Sequence, residues 1–153
     1  MRVGIGVAVV LLVAGCKGNE VKSTALKLSW KPPRGVSQVE ETADVLRFTQ
    51  GVEIHSIEGA PPPIDEGKLD LLLLDVFPRA KIDLLPTRIS ARVGSVPAGS
   101  VARWVLAGGG GRALHYYLPL KGRFLTISMT APEGDFGTRE SQLDLSLASL
   151  KVE

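Results

Sequence analysis

Residues 112–130 read RALHYYLPLKGRFLTISMT, and their alternation decides the fold. Leu114, Tyr116 and Leu118 alternate with His115 and Tyr117, and Leu125, Ile127 and Met129 alternate with Phe124, Thr126 and Ser128. Period-two patterning predicts two strands with one covered face and one wetter face. Lys121 and Gly122 are the turn between them. Upstream, Thr87–Val93 and Ser100–Ala107 have the same character, with breaks at Pro97–Gly99 and Gly108–Gly111. Connections this short belong to an antiparallel meander.

Further from this centre, Ala25–Trp30 (ALKLSW) alternates and is ended by Pro32 and Pro33, which predicts a first strand. Residues 35–43 are polar and give no clear pattern, whereas Asp44–Phe48 and Val52–Ile57 predict a hairpin turned by Gln50 and Gly51. Then the period changes. Leu69, Leu72, Leu73, Val76 and Phe77 fall on one helical stripe, with Asp65 and Glu66 before it and Arg79 and Lys81 behind it, as the helix dipole favours. This predicts a helix over 64–78. The leucine run 71–74 also suits a buried strand, but the spacing and the end charges favour the helix. After a loop over 132–137, Thr138 would cap a helix over 139–150 carrying Leu143, Leu147 and Leu150 on one stripe. Leu143, Leu145 and Leu147 also alternate, so a final strand is the alternative. The expected class is α+β: an antiparallel sheet of about six to seven strands with one or two helices packed on one face.

The first residues, MRVGIGVAVVLLVAGC, place one arginine before an apolar run that stops at Cys16. About 13 such residues at ~1.5 Å rise reach roughly 20 Å, short of a hydrocarbon core of about 30 Å, so a processed export signal is expected rather than a span. Val13, Ala14, Gly15 and Cys16 resemble the lipobox of bacterial lipoproteins. That resemblance implies cleavage before Cys16 and acylation of the cysteine, with residues 1–15 as signal peptide, 16–24 as lipidated cysteine and tether, and 25–153 as a single domain. The membrane partner is then reached through acyl chains on Cys16. The protein would be lipid-anchored in the bacterial envelope and face the periplasm. Lys17 in place of aspartate after the cysteine favours the outer membrane over the inner. Cys16 is the only cysteine, so no disulfide is expected.

The charge is uneven although the net is only +2. Residues 17–78 carry 7 basic and 10 acidic side chains, residues 79–123 carry 8 basic against the single acid Asp83, and residues 124–153 return to 2 against 5. Arg88, Arg92, Arg103, Arg112, Lys121 and Arg123 lie on the predicted meander strands or their ends, and Arg88 shares a strand face with Ser90 and Arg92. Gathered on one exposed sheet face, they would make a site for an anionic ligand or an acidic envelope partner. The competing expectation is that they face solvent and are neutralised by acids on the helices. Nucleic acid is not an expected partner of an exported chain with so small a net charge.

Catalytic patterns are lacking. There is no Gly-x-Ser-x-Gly and no serine followed three residues later by lysine. His55 and His115 are the only histidines, and although Glu53 would share a strand face with His55, two isolated histidines do not make a metal site. Gly108–Gly111 is read as a hairpin loop rather than a phosphate cradle, since Arg112 opens a strand and no helix N-terminus follows in sequence. No enzyme activity, cofactor or metal is expected.

Four pieces of the chain resemble PsbP/Mog1-like domains. They are Trp30-Lys31-Pro32-Pro33 after an early strand, the pair Tyr116 and Tyr117, Arg123–Pro132 (RFLTISMTAP), and the ending Ala148-Ser149-Leu150-Lys151. The resemblance implies a curved antiparallel sheet with helices against it and brings no catalytic residues. The function expected is an interaction or assembly role at the envelope, or, as the alternative, binding of an anionic or amphiphilic small ligand by the arginine face.

Overall fold

The computed structural model describes residues 20–153, so the leader and Cys16 lie outside the described residues. The chain runs β1 (Val21–Ser23), β2 (Leu28–Trp30), β3 (Gln38–Glu41), β4 (Val45–Phe48), β5 (Val52–Glu58), α1 (Leu69–Arg79), β6 (Thr87–Val96), β7 (Gly99–Gly108), β8 (Gly111–Pro119), β9 (Arg123–Pro132), α2 (Glu133–Ser146) and β10 (Lys151–Val152). Seven strands form one sheet in the order β3-β4-β5-β9-β8-β7-β6, and β1-β2-β10 form a small second sheet. Every pairing is antiparallel. The class is α+β, as expected. The helices, however, lie on opposite faces of the large sheet rather than sharing one.

On one face, α2 and the segment after it bury Phe136, Leu143, Leu147 and Leu150, with Trp30 of the small sheet, against Leu114, Leu118, Leu125 and Ile127. On the other, α1 buries Leu69, Leu72, Leu73, Val76 and Phe77 against Trp104, Leu106, Tyr117 and Phe124. The leucine stripe of α1 is therefore its inward side, and Leu71 and Leu74 point to solvent. Because both faces are covered, the central stretches of β7, β8 and β9 are buried on both sides, and the wetter face expected from their alternation does not exist. His115 and Thr126 are almost fully buried, and Ser128 is nearly so. Leu145 is the exposed residue among the alternating leucines, which settles that segment as helix.

Several boundaries differ from expectation: α1 starts at Leu69, after a 3-10 turn over Glu66–Lys68, rather than at 64, α2 ends at Ser146 rather than at 150, and three further differences have identifiable reasons. The segment read as a first strand over 25–30 is the second half of a hairpin: Val21–Ser23 pairs with Leu28–Trp30, and the turn uses Lys27 at φ 56°. Val21 and Ser23 are buried, so the polar stretch read as a tether has entered the fold by Val21. The polar segment 35–43, which gave no pattern, contains β3. α2 begins at Glu133, within the stretch read as a loop, with Pro132 at its N-cap and the Glu133 amide donating to the Gly110 carbonyl. Gly134 and Gly137 each weaken a helix by about 1 kcal/mol and hid its start. Burial of Phe136 and the acids Glu133 and Asp135 in the first turn work the other way.

The β4–β5 hairpin is as expected: within the three residues that join Phe48 to Val52, Gln50 (φ 62°) and Gly51 (φ 71°) are both left-handed and reverse the chain. A Cβ on Gly51 would lie 2.7 Å from the Thr130 carbonyl oxygen of β9, so glycine there also permits close approach of the sheet.

Candidate functional site

Strand register lays two rows of side chains across the α1 face of the sheet. One runs Arg47, Glu53, Ser128, His115, Trp104; the other runs Val45, His55, Thr126, Tyr117. α1 covers the middle of these rows and stops short of their β4–β5 end. There, the turn that follows the helix, Arg79–Asp83, stands opposite the hairpin and leaves a cleft of about 440 Å³ lined by Arg47, Glu53, His55, Arg79, Lys81 and Asp83 among others.

Its charged groups form a relay. Arg47 Nη1 donates to Glu40 Oε1 at 2.9 Å and Arg47 Nε to Glu53 Oε2 at 3.2 Å, while Glu53 Oε1 meets His55 Nε2 at 2.9 Å. Burial opposes the charge on Glu53, but the hydrogen bond and charge of His55 and the charge of Arg47 outweigh it and hold the carboxyl below its usual range. The Arg47 guanidinium is held above its usual value, first by its bond to Glu40 and then by Glu53. Such an arrangement fixes the ring of His55, itself buried, in one orientation at the cleft. Lys81 stands at the rim with φ 58°, a left-handed conformation normally given to glycine after a helix. Glu53 and His55 were legible in the sequence as neighbours on one strand face. Arg47 and Lys81 were not singled out, and only the antiparallel register and the end of α1 bring them there.

His115 belongs to the interior rather than to the cleft. Its Nδ1 lies 2.7 Å from Ser128 Oγ, its Nε2 has no partner among the described residues, and the Phe77 ring packs at 4.9 Å between centroids. Burial pushes its pKa down to about 4, so it is neutral at pH 7. Thr126 Oγ1 is likewise unpartnered among the described residues. The Tyr117 hydroxyl donates to the Pro62 carbonyl at 2.6 Å, and burial raises its pKa.

The six basic residues do not gather on one exposed face. Arg103 is buried beneath α2, where it donates to Glu140 at 2.6 Å and to Asp144 at 2.9 and 3.2 Å. Arg123 is buried under the small sheet and donates to the carbonyls of Leu26, Lys27 and Glu153 and to Ser56 Oγ. Arg112 pairs with Glu133 at 3.4 Å, and Arg88 with Asp70 at 3.0 Å. Lys121 is exposed in the β8–β9 turn and Arg92 is exposed on β6. A register shift between Arg88 and Ser90 turns Arg88 toward α1, so it does not share the face of Arg92 as strict alternation would have it. Arg112 sits opposite Ala131, eight residues along β9 from Arg123, which separates the two by about 27 Å at ~3.4 Å per residue. Four of the six, Arg88, Arg103, Arg112 and Arg123, hold elements together through the fold's own acids and carbonyls.

Gly108–Gly111 is a hairpin turn, as read. Gly109 (φ 60°) and Gly110 (φ 81°) are left-handed, and a Cβ on Gly108 would lie 2.5 Å from Pro86 Cδ. The N-terminus of α2 does arrive beside this turn from a distant part of the chain, but Glu133 and Asp135 already occupy its first turn.

No protein-family model and no curated protein matches the chain. Solved structures do. The chain superimposes on the solution structure of CyanoP, the cyanobacterial PsbP of Synechocystis sp. PCC 6803, with a TM-score of 0.56 and 14% identity over 88% of this chain and 91% of that one. The fold is PsbP-like. A crystal structure from Bacteroides thetaiotaomicron VPI-5482 is similar to the same degree, with a TM-score of 0.55 and 13% identity over 90% of this chain. This chain spans about half of the Bacteroides protein, 49% of its length. At such identities the PsbP-like architecture is what is shared, and residue roles do not transfer with it.

Proposed function

We propose that the protein is a lipid-anchored, non-enzymatic binding or assembly module, held at the periplasmic face of a bacterial membrane, the outer membrane by preference, through Cys16. The observation that carries this reading is the position of β1. Val21 is already buried in the small sheet, five positions after Cys16. At ~3.3 to 3.6 Å per residue, an acylated Cys16 would keep the folded domain within about 18 Å of the bilayer surface. A domain tethered so closely is suited to partners at or near the membrane. The PsbP-like architecture, and the use of the buried arginines for internal cohesion, are consistent with a scaffold that binds rather than reacts.

The test is intact mass and membrane partition of the expressed full chain beside Cys16→Ser. The expected result is a wild-type mass that includes acyl chains, with the variant lost from the membrane fraction. An unmodified, soluble wild type would end the anchoring reading.

A second reading, small-ligand binding, is favoured by the cleft of Arg47, Glu53 and His55, to which it moves from the dispersed arginines. Isothermal titration with small anions against wild type and Lys81→Ala tests it, with loss of binding in the variant as the expected outcome.

A further inference from the structure

The two free edges of the seven-stranded sheet are unlike. β3 has four residues, carries Glu40 and Glu41, and is interrupted by a register shift between Gln38 and Glu40. Short length, charge and irregularity are the usual means by which a sheet edge is closed to other strands. β6, at the opposite edge, has ten residues. Its own register shift falls near its start, so that Ser90–Val96 runs regularly against β7, from Ser90 opposite Val105 to Val96 opposite Gly99. None of these residues is buried, and among the described residues their backbone has no hydrogen bond outside the β7 ladder. Alternate residues of an antiparallel strand turn N–H and C=O away from the neighbour. The run contains neither proline nor lysine. Arg92 is the one charge along it.

We infer that the outer edge of β6 receives an extended, acidic segment of a partner protein as an eighth strand. The inference rests on the binding-or-assembly reading above and gives that reading a surface. Charge decides the occupant. Arg92 is exposed and has no ion pair among the described residues, whereas Arg103 directly opposite it on β7 is saturated by Glu140 and Asp144. A second copy is a poor fit: it brings the same basic edge without an acid, and antiparallel self-pairing centred on Arg92 sets that residue against itself. Like charges facing across a ladder are destabilising, and a carboxylate at that position is the opposite. Ile89, 48% exposed at the bulge, adds an apolar contact at one end of the edge. Main-chain bonds would supply the affinity and side chains the register.

The experiment places a photo-crosslinking amino acid at Ile89 in the full chain in its native host, with control positions at Leu74 and Lys81. The expected result is an adduct at Ile89 whose crosslinked peptide is extended and carries carboxylates. Arg92→Glu and Ser95→Glu should each lower its yield about tenfold, and Ser95→Lys should raise it. If Ser95→Lys lowers the yield as Ser95→Glu does, the strand has merely been disturbed and the inference fails. An adduct with a second copy of this chain, or adducts at Leu74 or Lys81 with none at Ile89, overturns the edge site while leaving the binding reading standing. No adduct at any of the three positions overturns both.

Discussion

The two faces of the large sheet handle buried polar groups in different ways. Beneath α2 and the small sheet two buried arginines are each held by several partners: Arg103 by Glu140, Asp144 and the Tyr116 hydroxyl, Arg123 by three carbonyls and Ser56. Beneath α1 the buried groups His115, Thr126 and Ser128 are neutral, and His115 Nε2 and Thr126 Oγ1 have no partner among the described residues. The difference follows from desolvation. An unpaired guanidinium in the interior costs far more than a neutral imidazole or hydroxyl, which loses about 1 to 3 kcal/mol when unbonded. A buried charge must therefore recruit partners from several elements, and so comes to hold them together. Neutral groups can tolerate looser company.

The sharpest way to break that contrast is Arg123→Met. It leaves the Leu26 carbonyl and Ser56 Oγ without their donor and takes one hydrogen bond each from the Lys27 and Glu153 carbonyls, loosening the small sheet from β9, so we expect a loss of about 4 kcal/mol in urea unfolding. A loss below about 1 kcal/mol would mean that the guanidinium does not hold the two sheets together. The next effect belongs to the α1 face and is set by pH. The folded-state pKa of His115 is about 4 against an ordinary 6.5, so between those values the unfolded chain binds the proton and the folded chain does not. Stability is complete above pH 6.5 and falls as the pH drops toward 4, by about 3 kcal/mol at 1.36 kcal/mol per pKa unit. His115→Gln should flatten this part of the profile, which urea unfolding at a series of pH values measures.

Arg103→Met is expected to cost less than Arg123→Met, about 2 kcal/mol, because Glu140 and Asp144 retain partial contact with water once the guanidinium is gone. Adding Glu140→Gln and Asp144→Asn to it should recover part of the loss in a mutant cycle. The smallest expected effect is at the cleft. Lys81→Gly relieves a left-handed side-chain conformation and should raise stability by about 1 kcal/mol, read as a higher thermal midpoint. A drop would mean that the lysine contributes through its side chain to holding the turn.

Much of the architecture was legible in local pattern. The stripe Leu69, Leu72, Leu73, Val76, Phe77 gave α1, Gln50 and Gly51 gave the β4–β5 turn, and alternation with short breaks gave four strands of the meander, because period and turn chemistry are properties of neighbouring residues. The start of α2 was not legible, since Gly134 and Gly137 contradict helix propensity locally and Phe136 compensates only by packing on a distant sheet. Half of the cleft was visible as Glu53 and His55 on one strand face. The other half, Arg79–Asp83, depends on how far α1 reaches across the sheet.

By itself, then, the sequence determined the α+β class, the order of most strands and the strand-face parity of Arg92, Arg103, Arg112 and Arg123. Tertiary structure decided which of those side chains meet water. Arg103 is interior because α2 brings Glu140 and Asp144 over it from about forty residues downstream, and Arg123 because the Leu26–Lys27 turn closes on it from nearly a hundred residues upstream. Alternation specifies a side of the sheet; burial depends on what later packs against that side, and no local pattern in β7 or β9 contains that information.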